Sequence, residues 1–356
     1  MTLIARYLIK QLSITTLYAM FALLALYSFF DIVAEVGGVG EGGYTGIKMM
    51  QYVLLQIPDH AYQMMPLAVL IGGLIALSRL ASNSEMTVIK TSGMSTANII
   101  AILLGFGLIF AAATALLGES VAPAANRYAQ NLKTMAKNGK ISTGAQGLWI
   151  KEQNNIINVR EMLPDQSLRG IKVFRHDQTF KLAESWQAES AVIAADGGWK
   201  LTNVRRSILD GDRVRTEKHD GEYWQAGIRG SLLDVLLVNP NQMSLTALTA
   251  YIKHLEDNKQ QADNYKIEWW RKLMYPVATV VMALVALAFT PQSTRHGNMG
   301  LKLFAGICLG LAFHFAGRLF GFTSQLYGVP AFAAAMLPTA AFAAWAVWLI
   351  RKQERR

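Results

Sequence analysis

The sequence is short of the residues and motifs that most chemistry needs, and each shortage removes a class of protein. There is one cysteine in 356 residues, Cys308. It rules out an intrachain disulfide and cannot build a thiolate metal site. Its apolar neighbours predict a packed, small side chain. The histidines at 60, 176, 219, 254, 296 and 314 are scattered, so no metal site is expected. No G-x-x-x-x-G-K-[ST] phosphate loop occurs, so the chain is not expected to hydrolyse ATP. H-E-x-x-H and G-x-S-x-G are missing as well. Charge is also scarce: Asp, Glu, Lys and Arg make up 16% of the chain, against about a quarter in soluble domains.

Apolar side chains are abundant, at 52%. Crossing a hydrocarbon layer of ~30 Å takes about 20 residues of helix. Runs at 12–34, 59–80, 97–119, 272–291, 299–322 and 330–350 meet that length. The first follows Arg6 and Lys10 as a signal peptide would, but it exceeds an ordinary apolar core and has no small-residue cleavage pattern before Asp31. It reads as a retained helix.

The net charge of +10 does not point to nucleic acid, because the basic residues form no stripe interleaved with exposed aromatics. With six crossings, Arg6, Lys10, Arg79, Lys90, Arg295, Lys302 and the terminal Arg351–Arg356 cluster fall on one side. The opposite short loops carry Asp31, Glu35 and Glu41 or are nearly neutral around Phe322–Val329. The positive-inside rule then places both termini in the cytoplasm.

Three domains follow: helices one to three over 1–138, an insert over 139–243, and a connecting helix with helices four to six over 244–356. The insert reads as strands at Trp149-Ile150, Ile156–Val159, Ile171–Phe174, Ala191–Ile193 and Trp199–Leu201. Gly144, Gly147, Pro164-Asp165, Asp196–Gly198 and Asp210–Asp212 supply the turns. This spacing predicts a small β-sandwich or open barrel facing away from the cytoplasm. Residues 244–260 read as a helix, with Leu245, Leu248, Ile252 and Leu255 on one face. A cytoplasmic segment near 82–96 carries Ser82-Asn83-Ser84-Glu85, which matches a capping box with Ser82 as N-cap and Glu85 at N3. Beyond Pro123, Asn126, Gln130, Lys133 and Lys137 share a helical face, and Lys140 follows. Arg318 lies within the fifth apolar run, where an arginine is costly and usually faces a cavity or partner; His314 is one turn earlier. Gly72-Gly73, Gly306 and Gly310 are candidates for close helix approach.

Four local marks recur in one order: Ser84–Gly93 after helix two, Glu119-Ser120-Val121-Ala122-Pro123 ending helix three, Gln146-Gly147-Leu148-Trp149 opening the insert, and Tyr327-Gly328-Val329-Pro330 before helix six. With three helices, a β-domain and three helices, the whole chain resembles the lipopolysaccharide export permeases of the LptF/LptG family. The Gly-Leu-Trp mark and the approach to helix four around Trp269 look more like the LptG branch. The resemblance implies an α+β membrane protein of the bacterial inner membrane, with six transmembrane helices and a periplasmic β-jellyroll-like domain. It implies pairing with an LptF-like chain to form a cavity that takes lipopolysaccharide from the outer leaflet. Two copies of an LptB-like ATPase would bind ATP and magnesium, so this chain needs no cofactor. LptC and LptA-like bridge proteins would receive the lipid.

The resemblance also implies site residues. Glu85, with Met86 and Ile89, matches the coupling helix that meets the ATPase; solvation of a merely capped helix is the alternative. Lys133 matches a basic position of the family, and Lys137, Lys140 and Arg318 would join it in holding lipopolysaccharide phosphates, although snorkelling to ordinary headgroups gives the same pattern. Phe21, Leu24, Phe313 and Phe320 are candidates for the cavity wall, or for plain packing. One departure stands out. LptG-like chains can carry lysines at the outer end of helix one, whereas Gly37–Gly43 here has Glu41 and no lysine. Either other basic residues hold the phosphates, or the lipid carries fewer, or the glycines serve as a hinge. Two other classes remain open: a non-transporting scaffold that docks partners, and a lipid-modifying membrane enzyme.

Overall fold

Hydrocarbon offers a backbone no hydrogen bonds, so each crossing segment closes its own ladder as a helix. In the computed structural model, α1 spans Leu3–Val36, α2 Gly46–Ser82, α3 Glu85–Thr91, α4 Thr96–Leu116 and α5 Ala122–Ala136. Helices α6 (Leu245–Asp257), α7 (Asp263–Ala288), α8 (Met299–Tyr327) and α9 (Ala331–Glu354) follow the insert. The structure describes residues 3–137, 141–142, 147–163, 167–177, 179, 181–194, 196, 198–210, 213–225, 240–290 and 299–354. Lys140, Gln146, Gly144, Pro164-Asp165, Gly211-Asp212, Arg295 and Arg355-Arg356 lie outside the described residues, and the side chain of Lys302 does too.

Among the described residues, six helical segments are long and apolar enough to cross a membrane: α1, α2, the continuous α4–α5, α7, α8 and α9. Each outruns its apolar stretch, because amphipathic turns continue the ladder where side chains meet water. Helix α2 is the axis of the bundle. In its most apolar window 72% of residues are buried, against 11% for α1. Leu70, Leu74 and Leu77 of α2 pack with Phe106 of α4 and with Met282, Val285 and Ala286 of α7. Glycine sets two close approaches. A Cβ on Gly72 would lie 2.3 Å from the Thr16 Cα of α1, so the helices touch backbone to backbone there; Thr15 Oγ1 donates to the Gly72 carbonyl at 2.9 Å. On α8, side chains at 306 and 310 would collide with Leu74 and Leu67 of α2. Cys308, between those glycines, is exposed rather than packed, because α8 turns its glycine face, and not this one, toward α2.

A π-turn at Leu117–Val121 joins α4 to α5, so helix three continues past Pro123 as the sequence predicts. The wider turn precedes a proline that cannot donate an N–H. Gly118 in this turn is overlain by the ring of Tyr62, where a Cβ would lie 2.5 Å from Cε2.

The insert is one antiparallel sheet. Strands β1 (Ile141–Ser142) and β2 (Leu148–Glu152) pair in succession along one edge of β3 (Asn155–Met162). The order then runs β3, β4 (Leu168–His176), β5 (Leu182–Ile193), β6 (Trp199–Asp210) and β7 (Arg213–Trp224). Alternation points Ile157, Val159, Ile171, Val173, Trp186, Ala188, Trp199 and Leu201 into one apolar core. β7 escaped the sequence reading because Arg213–Trp224 alternates with almost no apolar face. Pairing with β6 holds it, helped by Arg206, which bridges Glu184 of β5 and Glu222 of β7. The predicted helix at 244–260 is α6.

The α1–α2 contact at Gly72 gives a first prediction. Gly72→Ala is expected to cost about 1–3 kcal/mol through overpacking, whereas Gly105→Ala, with nothing within 4 Å of its Cβ, costs far less. Thermal melting of the detergent-solubilised protein reads both; equal melting points would refute the backbone contact.

Candidate functional site

Among the described residues, four groups of polar side chains interrupt the apolar packing. At the end away from the sheet, α3 follows α2 through Ser84, a non-glycine residue at φ 60°. The expected capping box does not form: Ser82 is still part of α2 and donates to the Arg79 carbonyl, while Ser84 occupies the N-cap position without a side-chain bond. The left-handed turn at Ser84 reverses the chain before Ser82 can reach α3. Glu85 instead accepts from Tyr7 of α1 at 2.8 Å and from Asn83 at 3.2 Å. Ile89 is buried and Met86 half-buried against the bundle, which fixes α3 in place. The outward apolar residue is Val88, 65% exposed, whose exposure only the fold reveals.

At the sheet end, α1 stops at Val36 and a glycine turn brings the chain back into α2. Gly40 and Gly42 adopt φ 99° and 59°, and Gly43 donates to the Ala136 carbonyl of α5 at 2.7 Å. This bonding fastens the turn to α5, and a free hinge does not fit it. Lys133 and Lys137 of the predicted stripe meet carboxylates here: Lys133–Glu35 at 2.5 Å and Lys137–Glu41 at 2.6 Å. Lys133 also lies over the Tyr52 ring and Lys137 over that of Tyr44. The lysine beside Glu41 holds that carboxyl below its ordinary range. Burial, then neighbouring Glu35, pushes the Tyr44 hydroxyl up. Asp31 and His60 add a 2.6 Å contact between α1 and α2. The stripe does not stay together: Asn126 is fully buried, Gln130 reaches Tyr52, and only the two lysines remain at the rim.

Between bundle and sheet, Glu119 of the π-turn caps α6, accepting from the Leu245 N–H at 2.7 Å and the Thr246 N–H at 3.4 Å. Ser244 caps the same helix by accepting from Ala247. At the far end of α6, Asn258 accepts from the Gln153 N–H in the β2–β3 turn at 2.6 Å. Lys272 of α7 donates to the Met243 carbonyl. The bundle therefore grips the chain returning from the sheet on both sides of Ser244.

The fourth group lines a cavity between α7 and α8, flanked by α2 and α9. Glu268, Arg271, His314 and Arg318 border it, with Phe313 and Pro338 among its apolar walls. Of the expected wall residues, Phe313 lines this cavity. Leu24 packs against the bundle core, Phe320 is half-buried, and Phe21 stands 74% exposed on α1. Arg318 thus faces α7, apart from Lys133 and Lys137, which lie against α1. The sequence reading missed Glu35 and Glu41 as partners of the lysines and missed Glu268-Arg271; the i, i+3 spacing of the latter was the available signal.

Comparison with known proteins agrees with this architecture. The family model for the lipopolysaccharide export system permease LptF/LptG matches residues 6–352. The permease protein LptG of Escherichia coli K12 is 28% identical over 98% of both chains. LptG of Haemophilus influenzae is 29% identical over 98% of both. LptF of Escherichia coli K12 is 26% identical, over 60% of this chain and 56% of its own. The likeness to LptG covers more of the chain, as the Gly-Leu-Trp mark leads one to expect.

The cap on α6 is directly testable. Glu119→Ala removes a carboxylate from a helix N-terminus and is expected to cost about 1 kcal/mol locally. Hydrogen exchange at the Leu245 and Thr246 amides should rise several-fold while the β-sheet amides stay protected. Unchanged exchange at both positions would show that the cap carries no stability.

Proposed function

This chain belongs to the LptF/LptG family of lipopolysaccharide export permeases, a multi-pass inner-membrane family, and we propose that it is one half of an ATP-driven lipopolysaccharide extractor. With an LptF-like chain it forms a cavity that takes lipopolysaccharide from the outer leaflet of the inner membrane and hands it to a periplasmic bridge of LptC and LptA-like proteins. Two copies of an LptB-like ATPase bind ATP with magnesium and drive the step. Both termini face the cytoplasm and the β-sheet domain is periplasmic, where it serves as the first element of the bridge.

The observation that carries this reading is the bareness of α1. Leu17, Phe21, Leu26, Phe29, Phe30 and Val33 are all more than half exposed. A helix so little covered by its own chain supplies the apolar wall that a second chain and acyl groups complete. Phe21 belongs to that wall, with Leu24 packed behind it against the core and Phe313 and Phe320 on α8.

In this mechanism α3 is the lever. Glu85 presents a carboxylate to a cationic group of the ATPase, Val88 gives an apolar contact, and Ile89 and Met86 transmit the push into the bundle. Because Glu85 also holds Tyr7, a movement of α3 reaches α1 through one hydrogen bond. Closure changes lipid affinity only if the two cavity states bind the lipid differently. Lys133 and Lys137, with Lys140 beyond them, form the rim for lipid phosphates in place of lysines on helix one. Glu35 and Glu41 keep the two described lysines paired until phosphate displaces the carboxylates. Arg318 stands against α7 and acts elsewhere.

Two measurements test the reading. In proteoliposomes holding the complete complex, Glu85→Ala is expected to lower ATP-dependent lipopolysaccharide release about tenfold, the worth of one charge-assisted contact; normal release with normal ATPase binding would remove the coupling role. At the rim, Lys133→Gln should weaken photocrosslinking of lipopolysaccharide to α5, while Glu35→Gln, which frees Lys133, should strengthen it. The opposite pattern for Glu35→Gln would mean that the ion pair is structural only.

A further inference from the structure

The cavity between α7 and α8 carries charge that no step of export uses. Arg271 projects from α7 into a recess on α8. One of its N–H groups bonds Glu268 Oε1 at 2.5 Å and another bonds the Gly317 carbonyl at 3.1 Å. Gly321 leaves the space: a Cβ there would lie 2.6 Å from Arg271 Nη2. A guanidinium has five N–H donors, so Arg271 keeps donors to spare. Lys272 is engaged elsewhere, with its Nζ on the Met243 carbonyl and 5.4 Å from the centre of the Tyr62 ring.

Arg318, one turn from His314 on α8, borders the same cavity and is exposed at its rim. Among the described residues it has no hydrogen bond and no ion pair. The local balance is therefore two guanidinium groups against one carboxylate. Phe313, Met274, Ala334 and Ala335 make part of the wall apolar, and the lining also holds uncharged polar groups such as Tyr275 and Thr339. An excess positive charge in such surroundings is costly unless an anion meets it. The guanidinium fork matches the paired oxygens of a phosphate, and Arg is suited to that geometry where Lys is a point charge.

We propose that this cavity binds an acidic membrane lipid, its phosphate held by Arg318 and the free edge of Arg271 and its acyl chains lying along Phe313 and the alanines of α9. The site lies within one chain and needs neither the partner permease nor ATP. It is a resident-lipid site that fixes α8 against α7, separate from the rim on α5.

The test uses the purified complex in nanodiscs of dioleoylphosphatidylglycerol or dioleoylphosphatidylcholine, released into native mass spectrometry without ATP. Wild type should retain phosphatidylglycerol on this chain over phosphatidylcholine. Arg318→Gln should lower that retention about tenfold, as the loss of one charge-assisted contact does. Arg318→Lys should keep part of it, which shows that the fold is intact. Ala335→Phe, which fills the cavity without touching a charge, should lower it too. Lys253→Gln, at an exposed position of α6, removes a charge without effect. Equal retention of both lipids, or full retention by Arg318→Gln, would overturn the proposal. Displacement of phosphatidylglycerol by inorganic phosphate at matched concentration would overturn the lipid assignment, since the apolar wall would then contribute nothing. Because retention is read without ATP, failure of lipopolysaccharide release in the same complex would count against the export reading alone.

Discussion

A charge that cannot reach water must find its partner inside the chain, and this constraint organises the sheet end of the bundle. Asp31 meets His60, Glu35 meets Lys133 and Glu268 meets Arg271, while exposed Glu41 adds a surface pair with Lys137. Each contact either ties one crossing helix to another or fixes a side chain that does. Glu119 follows the same rule with backbone N–H groups as its partners, and so fastens the returning chain from the sheet onto the bundle. The α1–α5 face combines these ion pairs with apolar contacts of Ile32, Tyr44 and Ala136.

The apolar part of the structure is unevenly shared. α2 is enclosed by α1, α4, α7 and α8, and the glycines at 72, 306 and 310 let its neighbours approach closely. α1 touches this axis along one side and leaves the other bare. In a soluble protein that bareness would favour aggregation; in a membrane it costs little, because lipid is as apolar as leucine. It also leaves one apolar face of α1 uncovered by the rest of this chain.

Short hydrogen-bonded links join neighbouring elements at each end of the bundle. Tyr7 and Glu85 join α1 to α3, and Ile89 seats α3 in the core. At the other end Glu119, α6 and Asn258 connect the π-turn of helix three to the β2–β3 turn. These links are direct hydrogen bonds between secondary-structure elements and turns.

Much of this was legible before any coordinates. Hydropathy found six crossings, short runs between turn residues found five of the seven strands, and Leu248, Ile252 and Leu255 marked α6. Local pattern suffices there because each signal is a period within one segment. It failed where the deciding neighbour lies far away in sequence. β7 has no apolar period and exists through β6. The capping motif at Ser82 was overruled by the turn at Ser84. Lys133 and Lys137 read as a free basic stripe, yet Glu35 and Glu41, nearly a hundred residues earlier, neutralise them. Arg318 was visible as an unusual residue, but its surroundings were not, because Arg271 and the recess at Gly321 come from different helices. The sequence by itself determined that this chain spans the membrane six times and carries a sheet outside it, since burial of apolar surface and closure of backbone hydrogen bonds are local demands. The tertiary structure alone decided which charges are paired, because electrostatic partners are chosen by distance in space.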